Sequence, residues 1–155
     1  MKQALRSISL SIAVFLAFTF TSCVNAQDVR KISTTAPKGK AVAAFAEGCF
    51  WCSVHIFEAV KGVDSAIAGY AGGNTKNPTY QSVSSETTGH AESVLVYYNP
   101  AIVSYDELLN VFFTSQDPTT PDQQGPDRGS SYRSIIFYQT PAEKALANNA
   151  IAKYT

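Results

Sequence analysis

The run Gly48-Cys49-Phe50-Trp51-Cys52 sets two thiols three residues apart with two aromatic rings between them. Cys49 falls where an apolar run, Ala41-Val42-Ala43-Ala44-Phe45, gives way to a helical pattern that begins at Trp51. A cysteine at such a junction meets free backbone N–H groups and the positive end of the helix dipole. Both stabilise a thiolate, so its pKa should drop. Positions i and i+3 of a helical turn share a face, with Cβ atoms about 5–6 Å apart, close enough to join as a disulfide after small adjustment. The spacing therefore suggests a nucleophile with its own resolving thiol. A purely structural disulfide is the plainer alternative, although a bridge closing so short a loop removes little chain entropy.

Cys-x-x-Cys after a strand also fits a general thiol–disulfide oxidoreductase of the thioredoxin-like kind. Phe50 and Trp51 argue against it, because such motifs usually carry small residues there. Two rings beside a reactive sulfur suit a small apolar pocket for a methyl group on sulfur, with ordinary core burial of one ring as the alternative. Cys49, Cys52, His55 and His90 could in principle supply four zinc ligands, but no second pair is spaced to help, and no metal is expected.

The elements that must position these groups follow from patterning. The run 41–45 reads as a buried strand, and Trp51, Val54, Ile56-Phe57 and Val60 give a helix ending near Gly62. Val63 to Tyr70 reads as a strand, followed by a polar loop to about Gly89. Glu92 to Tyr98 is the strongest strand, stopped by Asn99-Pro100. Ser104-Tyr105-Asp106-Glu107 is a capping box opening a helix through Phe113. A loop rich in Pro, Gly and Asp covers 117–131, a strand spans Arg133 to Gln139, and Thr140-Pro141-Ala142-Glu143 starts a final helix. The order β-α-β-β-α-β plus a helix predicts an α+β fold with a ferredoxin-like split βαβ core: an antiparallel sheet with helices on one face.

The chain has 155 residues, and the first 26 resemble a secretory signal. Lys2 and Arg6 precede an apolar stretch, Leu10 to Phe18, that is too short to cross a bilayer core of about 30 Å, and Val24-Asn25-Ala26 offers a cleavage site. Phe20-Thr21-Ser22-Cys23 gives a second reading, a loose lipobox in which Cys23 carries a lipid. Either reading exports the chain, to the periplasm or to a lipid anchor at the bacterial envelope, with Cys23 as its sole membrane attachment. Residues 27–40 read as a flexible lead-in and 41–155 as one domain, expected to be monomeric. Twelve basic and twelve acidic residues, with no basic run, argue against a nucleic-acid partner.

Beyond the cysteine run, an ordered series of motifs covers about residues 41–140: Gly69-Tyr70-Ala71-Gly72-Gly73, Asn77-Pro78-Thr79-Tyr80, Gly89-His90-Ala91-Glu92, Tyr97-Tyr98-Asn99-Pro100, Ser115-Gln116-Asp117-Pro118 and Ser131-Tyr132-Arg133-Ser134. Together with Gly48-Cys49-Phe50-Trp51 they resemble the peptide methionine sulfoxide reductase A family. The resemblance implies reduction of the S-epimer of methionine sulfoxide, free or in proteins. Cys49 would attack sulfur and become a sulfenic acid. Glu92 would supply the acid for the departing oxygen, with Tyr70 and Tyr132 binding the same atom. Phe50, Trp51, Asp127 and His90 would line or support the substrate site, with His90 in a structural or supporting role. Cys52 matches the members with cysteine after Phe-Trp, where it resolves the sulfenic acid as a disulfide that an external thioredoxin-like dithiol reduces. No metal or organic cofactor is implied.

Two features depart from the family pattern. Val54 stands where many members carry glutamate, and the chain ends at Thr155 while the family normally continues with an acidic, His- and Tyr-containing segment. A C-terminally truncated domain is therefore expected, with apolar surface exposed at Ile135, Ile136 and Phe137 and marginal stability as the result.

Overall fold

Alternation along the central strands sorts apolar side chains onto two faces of one sheet. In β2 (Ala41–Glu47) Ala43 and Phe45 face one way and Ala44 and Ala46 the other. The same parity holds in β4 (Ala91–Tyr98), where Val94, Val96 and Tyr98 share a face opposite Leu95. The first face carries the larger core and is covered by α1 (Phe50–Glu58), α3 (Tyr105–Ser115) and α4 (Pro141–Tyr154). These contacts come from a computed structural model, which describes residues 28–31 and 34–154. The apolar stretch 10–18, the expected cleavage site at 24–26 and Cys23 lie outside the described residues.

With β1 (Asp28–Lys31), β3 (Val63–Ala71) and β7 (Ser134–Tyr138), the five strands run in the order β1-β7-β2-β4-β3. β2 and β3 each pair antiparallel with β4, so they run parallel with β4 inserted between them. β4 and β7 likewise flank β2, antiparallel to it. Two interlocked split βαβ units result, the arrangement the element order predicts.

The helix caps form where the sequence places them. Ser104 Oγ accepts the Glu107 N–H at 3.2 Å while Glu107 Oε2 accepts the Ser104 N–H at 2.7 Å. Thr140 Oγ1 accepts the Glu143 N–H at 3.2 Å at the start of α4. Within the polar stretch before Gly89 lies a short helix the patterning does not reveal, α2 (Tyr80–Ser84), capped by Thr79 and Ser82 and burying only Val83. The 117–131 loop folds into a small hairpin, β5 (Gln123–Gln124) with β6 (Asp127–Arg128), and a 3-10 turn at Ser130–Tyr132.

Two expectations are corrected. The lead-in is not wholly flexible: β1 pairs parallel with β7, from Asp28 opposite Ile135 to Lys31 opposite Tyr138. Thr34 adds two hydrogen bonds to Gln139 Oε1, from its N–H and its hydroxyl, both 3.0 Å. The sheet is therefore antiparallel except at this outer pair. Ile135, Ile136 and Phe137 are buried rather than exposed, because β7 is an interior strand with a ladder on each side. Ile136 joins the helix-side core, and Ile135 and Phe137 join Ala44, Ala46 and Ala91 on the other face.

Phe45 anchors the helix-side core, with its ring 5.0 Å from Phe57 and 5.5 Å from Phe112, centroid to centroid. Phe57 is fully buried on α1, so Phe57→Ala should cost about 3–5 kcal/mol in urea unfolding. A loss below about 1 kcal/mol would mean that α1 is not held by this stack.

Candidate active site

β2 ends at Glu47, and Gly48 turns the chain with φ 97°, a conformation side chains rarely adopt. A Cβ on Gly48 would also lie 2.7 Å from Gln124, so the turn is closed over by the β5 strand. Cys49 then becomes the N-cap of α1, its carbonyl accepting the N–H groups of Cys52 at 3.0 Å and Ser53 at 3.2 Å. The cysteine therefore sits at the positive end of the helix, as the spacing predicts.

The acid arrives from β4. Glu92 is 4% exposed, and its Oε2 accepts the Phe50 N–H, in the first turn of α1, at 3.0 Å. Burial pushes its pKa up, the Phe50 N–H pulls it back, and the charge of Asp127 raises it further. Tyr70 stands directly opposite Glu92 in the β3–β4 ladder, so both side chains leave the same face. The Tyr70 and Tyr132 phenols are held protonated by burial and by the nearby charge of Glu92, and Tyr132 also responds to Asp127 and Cys49. Cys49, Glu92, Tyr70, Tyr132 and Asp127 thus form one electrostatic cluster.

The two aromatic rings of the cysteine run separate. Phe50 is buried and packs 5.5 Å from Tyr70, while Trp51 meets Phe50 edge-on at 5.3 Å and is 69% exposed. One ring is wall and the other a platform open to solvent. Cys49 and Cys52 are both free thiols, and Cys52 is the exposed one. Burial raises the Cys52 pKa, followed by the charge of Cys49 and a hydrogen bond to it, with smaller contributions from Asp127 and Glu47. The two thiols therefore act on one another electrostatically, with Cys52 keeping its proton.

His90 is held against the loop that follows β3. Its Nδ1 accepts the Gly73 N–H at 3.3 Å, which leaves Nε2 to donate to the Thr75 carbonyl at 3.0 Å. Both nitrogens are engaged in pinning the loop after β3. Two groups escaped the sequence reading. Tyr80, at the start of α2, acts on the phenols of both Tyr70 and Tyr132 and is a third phenol at this corner; its signal was the Asn77-Pro78-Thr79-Tyr80 motif. Glu47 is 5% exposed at the end of an otherwise apolar strand, and its Oε2 accepts the Ser115 hydroxyl at 3.2 Å. Burial raises its pKa to about 8 against the pull of hydrogen bonds from Ser115 and Ser53. Among the described residues, no group of three or more His, Cys, Asp and Glu is placed to hold a metal ion.

A cysteine at a helix N-terminus, a second thiol three residues on, a buried carboxyl and phenols beside an aromatic wall make up a candidate cysteine-based active site. A family model described as peptide methionine sulfoxide reductase matches residues 41–155, and the chain belongs to that family. It is 49% identical over 113 residues to the peptide methionine sulfoxide reductase MsrA of Sulfolobus acidocaldarius, covering 73% of this chain and 64% of that relative. The chain thus spans less than two thirds of that relative's length. The fold is similar to methionine sulfoxide reductase A of Corynebacterium diphtheriae, with TM-score 0.73, 34% identity, and coverage of 76% of this chain and 57% of that one. It is equally similar to reduced Mxr1 of Saccharomyces cerevisiae, with TM-score 0.73, 28% identity, and coverage of 80% and 74%.

Folding raises the Glu47 pKa from its ordinary 4.5 to about 8, so the folded chain binds more protons than the unfolded chain between those values. Its contribution is therefore complete below pH 4.5 and is lost as pH rises toward about 8. Glu47→Gln cannot ionise, so its urea midpoint should gain on the parent's steadily across that window. Parallel midpoint-versus-pH curves for the two proteins would contradict this.

Proposed function

We propose that the chain carries the reductase chemistry of its family on methionine sulfoxide. The observation that carries this reading is the Glu92 carboxyl, held on the Phe50 N–H at 3.0 Å, one residue from Cys49. The Cys49 thiolate attacks the electrophilic sulfur while the raised pKa of Glu92 keeps a proton available for the sulfoxide oxygen. Tyr70 and Tyr132 stay neutral and donate to the same oxygen. The S–O bond breaks, the thioether leaves, and Cys49 holds the oxygen as a sulfenic acid. Phe50 and Trp51 receive the sulfur's methyl group.

Cys52, exposed and within the first turn of the helix that Cys49 caps, attacks the sulfenic sulfur; a disulfide forms and water leaves. An external dithiol of the thioredoxin kind returns both thiols, and Cys52 is the sulfur it can reach. No metal or organic cofactor enters these steps. The leader pattern before Gln27 supports action outside the cytoplasm, in the periplasm or from a lipid anchor at Cys23, as a monomer.

With dithiothreitol and a racemic sulfoxide, the chain should consume the S-epimer alone; loss of both epimers, or of neither, would refute the reading. Cys49→Ser should abolish reduction. Cys52→Ser should complete one reductive event per chain and then stall when thioredoxin is the reductant, and unimpaired thioredoxin-driven turnover would remove Cys52 from the mechanism.

A further inference from the structure

Glu86 is exposed, yet its carboxylate is held on three donors from a segment more than forty residues away in sequence. Oε2 accepts the Ser130 hydroxyl at 2.6 Å and the Ser131 N–H at 3.1 Å, and Oε1 accepts the Ser131 hydroxyl at 2.6 Å. These bonds outweigh partial burial and hold the carboxyl below its usual range. The backbone at Glu86 has φ 59°, which glycine adopts readily and glutamate does not. A strained backbone is retained where the side chain makes an interaction that depends on it.

The clasp leads to the active site from both ends. On one side Glu86 closes α2, its N–H donating to the Val83 carbonyl at 2.9 Å, and α2 opens with Tyr80. On the other it grips the 3-10 turn that ends in Tyr132, whose N–H donates to the Gly129 carbonyl at 3.0 Å. Gly129 leaves the space: a Cβ there would stand 2.5 Å from Glu86 Oε1. Arg133 adds a second strap to the same turn, donating to the carbonyls of Ser130 and, at 2.8 Å, Gly89.

We propose that Glu86 is a positioning residue: its carboxylate clasps Ser130 and Ser131 and so holds Tyr132 beside Glu92, on the side of the pocket that receives the sulfoxide oxygen. The inference rests on the reductase reading for what Tyr132 does, but the clasp itself can be tested separately. It goes beyond that reading by giving a residue remote from the thiols control over the oxygen side of the site.

The informative variant is Glu86→Gly, which deletes the clasp while suiting the φ 59° backbone, so its melting temperature should match or exceed the parent's. Amide exchange at Ser131 and Tyr132 should quicken, and kcat/KM for methionine sulfoxide should fall about 10- to 100-fold, as expected for a displaced positioning group. The rate of Cys49 alkylation should not change, which separates a displaced Tyr132 from general damage. Glu86→Gln keeps one acceptor oxygen and should recover part of the loss; it serves as the test variant if Glu86→Gly fails to fold. Parent-like kcat/KM, or parent-like Ser131 exchange, in a folded Glu86→Gly protein overturns the proposal. A parent chain that reduces no sulfoxide would instead defeat the reductase reading, and Ser131 exchange would still decide whether the clasp exists.

Discussion

The hydrogen bond from the Phe50 N–H to Glu92 Oε2 joins the two halves of the site, and the rest of the architecture can be understood from what it requires. Its donor is one of the free N–H groups at the start of α1, and its acceptor lies on a strand 42 residues later in sequence. A carboxylate at this position completes the helix terminus and is favoured by the helix dipole. The same enclosure makes ionisation costly, so Glu92 is held between two opposing influences and burial is the larger. A fully solvated carboxyl would give up its proton more readily, and one buried without the Phe50 N–H would lack an orientation.

Only a split sheet order brings these partners together. β4 lies between β2 and β3, so the end of β2 that delivers Cys49 and the start of β4 that delivers Glu92 are at the same end of the sheet. Tyr70, opposite Glu92 at the end of β3, follows from the same register. A slip of one residue between β3 and β4 would send Tyr70 to the opposite face and away from Glu92. The stacked Phe45 and Phe57 hold α1 to β2, which fixes the helix terminus on which the bond depends.

Much of this was legible in the sequence because it is local or periodic. The capping boxes at Ser104 and Thr140 are short-range chemistry, and β4 is strongly β-branched and aromatic, so both appear where patterning places them. Cys49 at a strand–helix junction follows from the same logic. What stayed hidden depends on partners distant in sequence. The Asp28–Lys31 segment is a strand because β7 offers an edge to pair with. α2 buries a single apolar side chain, so it has no stripe to detect. The sequence suggests a supporting role for His90 but not its partners, and the ring lies between Gly73 and Thr75. Glu47 carries no motif at all, and only the Ser115 contact and its burial mark it as unusual.

The central claim is that Glu92 supplies the proton to the sulfoxide oxygen from its seat on the Phe50 N–H. First-turnover reduction by Glu92→Gln, measured beside the parent by rapid quench with Cys49 alkylation as the control, tests it most directly. The amide keeps an oxygen for the Phe50 N–H but has no acidic proton to transfer, so the first turnover should slow by about 10²- to 10⁴-fold while alkylation is unchanged. A Glu92→Gln protein that reduces sulfoxide at the parent's rate would show that the proton comes from elsewhere.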